Sequence, residues 1–256
     1  MKISCLFILL SSLCSCSSQT KSNSVSDDIV IVNAGVGNRV RLAKDIAYIN
    51  SLEPRVLAID FQFSEQQSFY GDSLLIATLN QSKNLVMSVA IKDYPDESKG
   101  YSELIGTLPE FRTKAKVGFV NLLPEQDEFE TLKRFSLYEE VSGKVIYPFG
   151  VQTAMTFDSL KTMSFLKGKP KMMDVDYKGD EKVFRTVSFQ NLVERKISPE
   201  VIKDKIVMLG FIGLSSSSYV EDKFYSPLND NMEPHKPDMY GVVYHANIVA
   251  QALADK

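Results

Sequence analysis

The chain has no tryptophan and only two histidines, His235 and His245. Its three cysteines, Cys5, Cys14 and Cys16, all fall within the first sixteen of 256 residues. Beyond that segment no disulfide can form and no thiol can serve as nucleophile. Two histidines without a usable cysteine argue against zinc. Neither a metal nor another cofactor is expected, and no catalytic residue can be nominated. The run Ser215 to Ser218 has no G-x-S-x-G setting, so it reads as loop rather than as a hydrolase nucleophile. Gly210 and Gly213 follow an apolar run, but the lysine of a phosphate loop and the third glycine of a dinucleotide fingerprint are both missing. Glycine and proline number 13 and 10, too few for a collagen-like chain, and 44% hydrophobic residues exclude a disordered one. The formal net charge of −3 leaves no basic footprint for nucleic acid. No apolar run approaches the ~20 residues that span a bilayer.

What is present begins at the N-terminus. Lys2 precedes a short, mostly apolar stretch from Ile3 to Leu10, followed by the small residues Ser11 and Ser12. This is the layout of a secretory leader. Leu13-Cys14-Ser15-Cys16 resembles a bacterial lipobox, with leucine three positions before the acceptor and a small residue just before it. The resemblance implies a leader over residues 1–15 and lipid attachment at Cys16. Cleavage before Cys14 is disfavoured because Leu13 is large for the last leader position. Ser17, directly after the lipidated residue, is compatible with the outer membrane, facing the periplasm or the surface. Residues 16–27 are polar and serine-rich, as a flexible tether would be.

Residues 28–256 read as one α/β domain: a mostly parallel or mixed sheet with helices on both faces. Asp28 to Val32 is β-branched and opens a strand. Leu42, Ile46 and Ile49 predict a helix over 41–52, and Val56 to Asp60 a second strand parallel to the first. A helix over 72–81 and a strand over 85–90 follow. Residues 92–103 read as a surface loop. Further strands are predicted at 117–121, 133–139 and 171–177. A helix is predicted over 145–157 with Pro148 in its first turn, and short helices start at Ser188 and Ser198. Lys205 to Gly210 is the clearest later strand. Tyr225 to Tyr240 holds three prolines and reads as a long irregular loop before a last helix over 241–252.

Asp60 ends a strand, where ligands collect in open α/β sheets. Glu221 and Asp222 follow the last strand, so carboxylates from neighbouring strand ends can face one ligand; the alternative role is to cap a helix or fix a loop. The candidate ligand-binding residues are therefore Asp60, Gly210, Ser215 and Asp222. His245, among apolar residues of the last helix, reads as a packed structural residue.

Five ordered blocks carry a resemblance that covers residues 28–254: DIVIV with Arg41-Leu42-Ala43; RVLAIDFQF from Arg55 to Phe63; GFVN from Gly118 to Asn121 with Asp127 and Arg134; KIVMLG from Lys205; and DKFYSP from Asp222 with GVVYHA from Gly241. The set resembles the second type of CHASE domain, an extracellular sensory family associated with cyclases and histidine kinases. The resemblance implies a sensor on the outer side of the membrane with no established catalytic residues. Typical relatives continue into membrane-spanning helices. Nothing apolar follows the last helix before Lys256, so a lipid-tethered sensor working through a membrane-bound signalling partner is expected, its small-molecule ligand unknown. The other reading is a structural or assembly lipoprotein of the same fold that binds proteins and no small ligand.

Overall fold

The structure, a computed structural model, describes residues 27–93, 101–213, 223–230 and 232–254. The chain opens with β1 (Ile29–Asn33), α1 (Arg39–Ser51), β2 (Val56–Ile59), α2 (Phe69–Leu79) and β3 (Leu85–Asp93). Next come β4 (Tyr101–Ile105), a 3-10 turn at Pro109–Arg112, β5 (Lys116–Phe119), β6 (Arg134–Ser136), β7 (Glu139–Val141) and β8 (Lys144–Ile146). The second half holds α3 (Phe149–Phe157), α4 (Ser159–Leu166), β9 (Met172–Asp174), β10 (Arg185–Val187), α5 (Phe189–Val193), α6 (Pro199–Ile202) and β11 (Ile206–Gly210). It closes with β12 (Lys223–Phe224), β13 (Met239–Tyr240) and α7 (Gly241–Leu253).

Nine strands form the main sheet in the order β10-β1-β11-β2-β3-β4-β7-β8, with β5 paired to β3 off that path. The strands from β10 to β3, and β5, are parallel to their neighbours; β4 is antiparallel to β3. This is the mixed α/β architecture predicted. Every residue of β1 and of β11 is buried, which parallel strands covered on both faces require. Alternation sorts the side chains. Val30, Val32, Leu57, Ile59, Val207 and Leu209 face the layer that contains α1, α2, α5 and α6. Ile29, Ile31, Ala58, Ile206 and Met208 face α3 and α7.

Local signals fix the helix starts. Asn38 caps α1 by accepting from Arg41 N at 3.0 Å, Ser68 caps α2 from Gly71 N, and Asp158 caps α4 from Lys161 N. α7 clamps the far side. The amide of Asn247 donates to Gly179 O and Val243 O and accepts from Lys178 N at 2.7 Å. Tyr244 donates its hydroxyl to Arg134 O.

β1 and β2 are parallel, as predicted, with β11 between them. Three expectations change. The described residues of 92–103 are not loop: β3 runs on to Asp93 and β4 starts at Tyr101, pairing with it. The predicted strand over 133–139 is split between β6, which joins β9, and β7, which joins β8. Val145 and Ile146 lie in β8 rather than in a helix; α3 starts at Phe149, with Pro148 as its cap residue. Pro148 lacks an amide hydrogen but supplies the carbonyl that Gln152 N reaches at 2.8 Å. The described residues from 225 to 238 are as irregular as predicted; β13 closes the segment by pairing with β12, which directly precedes it.

Candidate functional site

After β1 the chain crosses to α1 on one face of the sheet. After β11 it leads to α7 on the opposite face. Where adjacent strands send their connections to opposite faces, a crevice opens outside their carboxyl ends. Here that point of divergence lies at the ends of β1, β11 and β2, at Asn33, Gly210 and Asp60.

Asn33 is buried and holds the two departing loops together. Its Nδ2 donates to Gly213 O at 2.7 Å, and its Oδ1 accepts from Gly35 N at 3.0 Å. Sequence reading missed this residue. The signal was there: a polar side chain ending an all-apolar buried strand must find partners at the strand end. Between Asn33 and Gly213 on one side and Ser188, Phe189, Gln190 and Glu194 on the other lies a cleft of about 460 Å³. Asp60 is outside that cleft, on the β2 side of the crevice.

Asp60 is half-buried, and its backbone N donates to Leu209 O at 2.9 Å. Its carboxylate faces the first turn of α7: Oδ2 lies 3.9 Å from where a Cβ at Gly241 would stand. No side chain caps that helix, and no acidic residue lies in its first turn. A carboxylate at a helix N-terminus meets the partial positive charge of unpaired amides. Lys223 Nζ sits 4.5 Å over the Tyr240 ring just before α7, bringing a cation to the same edge.

Gly210 lets α7 approach the sheet. A Cβ there would be 2.6 Å from Val242 Cβ. Gly213 has φ +81, and a side chain would also meet the Tyr240 hydroxyl at 2.5 Å. Of the other predicted site residues, Cys16, Ser215 and Asp222 lie outside the described residues. His245 is 3% exposed in α7, one turn beyond the crevice. Its ring meets Phe149 and Tyr244 edge-on at 5.3 and 5.2 Å, and Nδ1 is buried without a hydrogen-bond partner. Burial lowers its pKa to about 3, so the imidazole is neutral at ordinary pH.

The rim on the β2 side is rigidly built. Arg39 pairs with Asp72 at 3.2 Å, donates to Glu65 O and lies 4.5 Å over the Phe63 ring. Asp72 Oδ2 accepts from Gln67 N and Ser68 N. Beneath, Thr107 donates to Ser88 O and Ser88 to Phe61 O. Phe69 and Tyr70 project from this rim, 92% and 69% exposed. The crevice thus offers a carboxylate, backbone amides at a helix start and an amide side chain between loops, a set suited to holding a small polar molecule. Among the described residues no cluster of three or more histidine, cysteine, aspartate or glutamate side chains could hold a metal ion. Among the same residues no helix is long and apolar enough to cross a membrane.

The family model of the CHASE2 domain matches residues 27–256, nearly the whole chain. No curated protein and no solved structure matches it.

Proposed function

Because this chain belongs to the CHASE2 domain family, whose members are extracellular sensory domains, we propose that it is a lipid-anchored sensor. It binds a small polar ligand at the carboxyl ends of β1, β11 and β2 and passes its state to a membrane-bound partner. The observation that carries this reading is the topology: at these strand ends the connections diverge to opposite faces, and Asp60 stands beside the start of α7. Asp60 anchors the ligand, with Ser215 and Asp222 as further ligand-binding residues; Gly210 keeps α7 seated on the strand end. Residues 1–15 are the leader, Cys16 carries the lipid, 16–27 form the tether and 28–256 the sensor. CHASE2 is a sensory rather than a catalytic domain, and the proposal assigns no chemical step.

A thermal-shift panel of metals, amino acids, nucleotides and sugars on residues 17–256 tests the ligand. A compound at 100 times its Kd stabilises by about 2.7 kcal/mol, or about 5–10 °C for a domain of this size. The shift should vanish in Asp60→Ala while that protein still melts cooperatively. An equal shift in the variant removes Asp60 from the site. The exposed Phe69 and Tyr70 favour a second reading, an assembly lipoprotein that binds proteins, and a silent panel would point to it. The anchor is tested by labelling cells with a palmitate analogue: Cys16→Ala should lose the label, and retention would refute lipidation there.

A further inference from the structure

The crevice occupies one edge of the parallel sheet, and the opposite edge, where the strands begin, has a different character. Arg55 precedes β2, Lys116 begins β5, Arg185 begins β10, Lys205 precedes β11, and Lys83 stands two residues before β3. The strands are parallel, so all five cations share that edge. Lys114 and Lys203, in the turns before β5 and β11, add to them. The acids at this edge are Asp27, Asp28, Glu53 and Asp204, with Glu200 near Arg185. Asp28 is paired with Lys205 at 2.9 Å and Glu53 with Lys203 at 3.1 Å. Cations are thus in excess here, in a chain whose net charge is −3.

Three of the cations line one recess. Arg55, Lys83 and Lys203, with Asn50, Asn84 and the carboxylates Glu53 and Asp204, surround a cleft of about 420 Å³ between the turns that lead into β2, β3 and β11; Glu53 is held by Lys203, so the lining carries three cations against two acids. The Arg55 guanidinium lies 4.5 Å over the Phe157 ring at the end of α3, and Leu160, three residues further on, is 84% exposed. β1 also begins here, so the chain before Asp27 joins the domain at this edge.

We infer that this basic edge is a docking surface for an anionic phospholipid bilayer, with a headgroup phosphate seated among Arg55, Lys83 and Lys203. The spread of the charge favours a plane over a peptide. From β10 to β5 the basic strand starts cross five inter-strand spacings, about 24 Å. Exposed Leu160 supplies an apolar contact beside them. Docked this way, the domain presents its crevice about 17 Å further from the bilayer, the length of a five-residue strand. The inference does not depend on a lipid at Cys16 or on any crevice ligand.

The test is co-sedimentation of residues 17–256, without lipid, with vesicles of phosphatidylcholine alone or mixed with phosphatidylglycerol. Binding to the mixed vesicles only, lost at ~0.5 M salt, is expected. Arg55→Gln, Lys83→Gln and Lys203→Gln together should weaken it about 100-fold, from about fivefold for each charge. Lys83→Gln alone, an exposed change, should weaken it about fivefold should the triple variant melt early. Lys133→Gln, Lys144→Gln and Lys167→Gln together, lowering the charge equally elsewhere, should leave it unchanged. Equal binding to both vesicles, or equal weakening by the two triple variants, would overturn the inference. So would a melting shift with glycerol phosphate in a protein that no vesicle retains, which would make the recess a site for a soluble anion. None of these outcomes bears on the crevice panel, so the two readings fail separately.

Discussion

His245 gives the domain a defined sensitivity to acid. Its folded pKa is lowered by burial to about 3, against an unperturbed 6.5. The unfolded chain therefore binds a proton as pH falls through 6.5, and the folded chain does not until about 3. Stability is full above 6.5 and declines below it. Between pH 7 and pH 5 the linkage amounts to about 2 kcal/mol, reaching about 4 kcal/mol near pH 3. For a domain of this size the pH 5 value lowers the melting midpoint by about 4–8 °C. The window isolates this group. Glu53, Glu110, Asp127, Asp180, Glu194 and Glu200 all have lowered pKa values, so their contributions are lost mainly below about pH 5, as the unfolded carboxylates take up protons. His235 is exposed and cancels in a comparison with His245→Leu. That variant also removes an unpartnered buried Nδ1, so at pH 7 it should cost less than about 1.5 kcal/mol. Urea unfolding of both proteins at pH 7 and 5 measures the difference. If His245→Leu loses as much stability as wild type over this range, the reasoning is wrong.

Three further outcomes follow from buried contacts. Asn247→Ala empties a fully buried position and leaves the half-buried Lys178 N and Gly179 O without their partner; it should cost about 2–3 kcal/mol in urea unfolding, whereas a loss under 1 kcal/mol would show that water replaces the amide. Asp45 is 1% exposed between Arg41 and Arg195, so Asp45→Ala strands two guanidinium groups; with both partly solvated, about 2–3 kcal/mol is expected, more than for Arg195→Ala, and the reverse order would contradict the pairing. Gly210→Ala places a methyl 2.6 Å from Val242 Cβ and should cost about 1–3 kcal/mol by lifting α7, while an unchanged melting midpoint would mean the helix seat is loose.

Much of this fold could be read from periodicity. β1, α1, β2, α2 and β3 are regular enough for alternation and helical spacing to find them, and KIVMLG announced β11. What escaped was either short or long-range. β7 and β8 are three residues each, with charged and exposed positions, and no three-residue pattern distinguishes a hairpin from the first turn of a helix. α4 was missed although Asp158 caps it, because Leu160 and Met163 point outward and blur its apolar face. That β11 inserts between β1 and β2 depends on packing about 150 residues apart in sequence, which no local signal carries. At the site, Asp60 and Gly210 could be nominated because they end apolar strands. Asn33 ends one too, yet its role shows only once the loop at Gly213 is brought beside it. The basic edge was invisible for the same reason: its lysines and arginines are scattered until parallel pairing lines up the strand starts.

The central claim is that the carboxyl ends of β1, β11 and β2 form the ligand seat. Amide hydrogen exchange on residues 17–256, with and without the compound that raises the melting midpoint most, tests it directly. The account predicts slowed exchange at residues 34–38, at 61–67, across 211–223 and in the first turn of α7. Protection confined to the opposite edge of the sheet, with the strand ends exchanging as before, would contradict it.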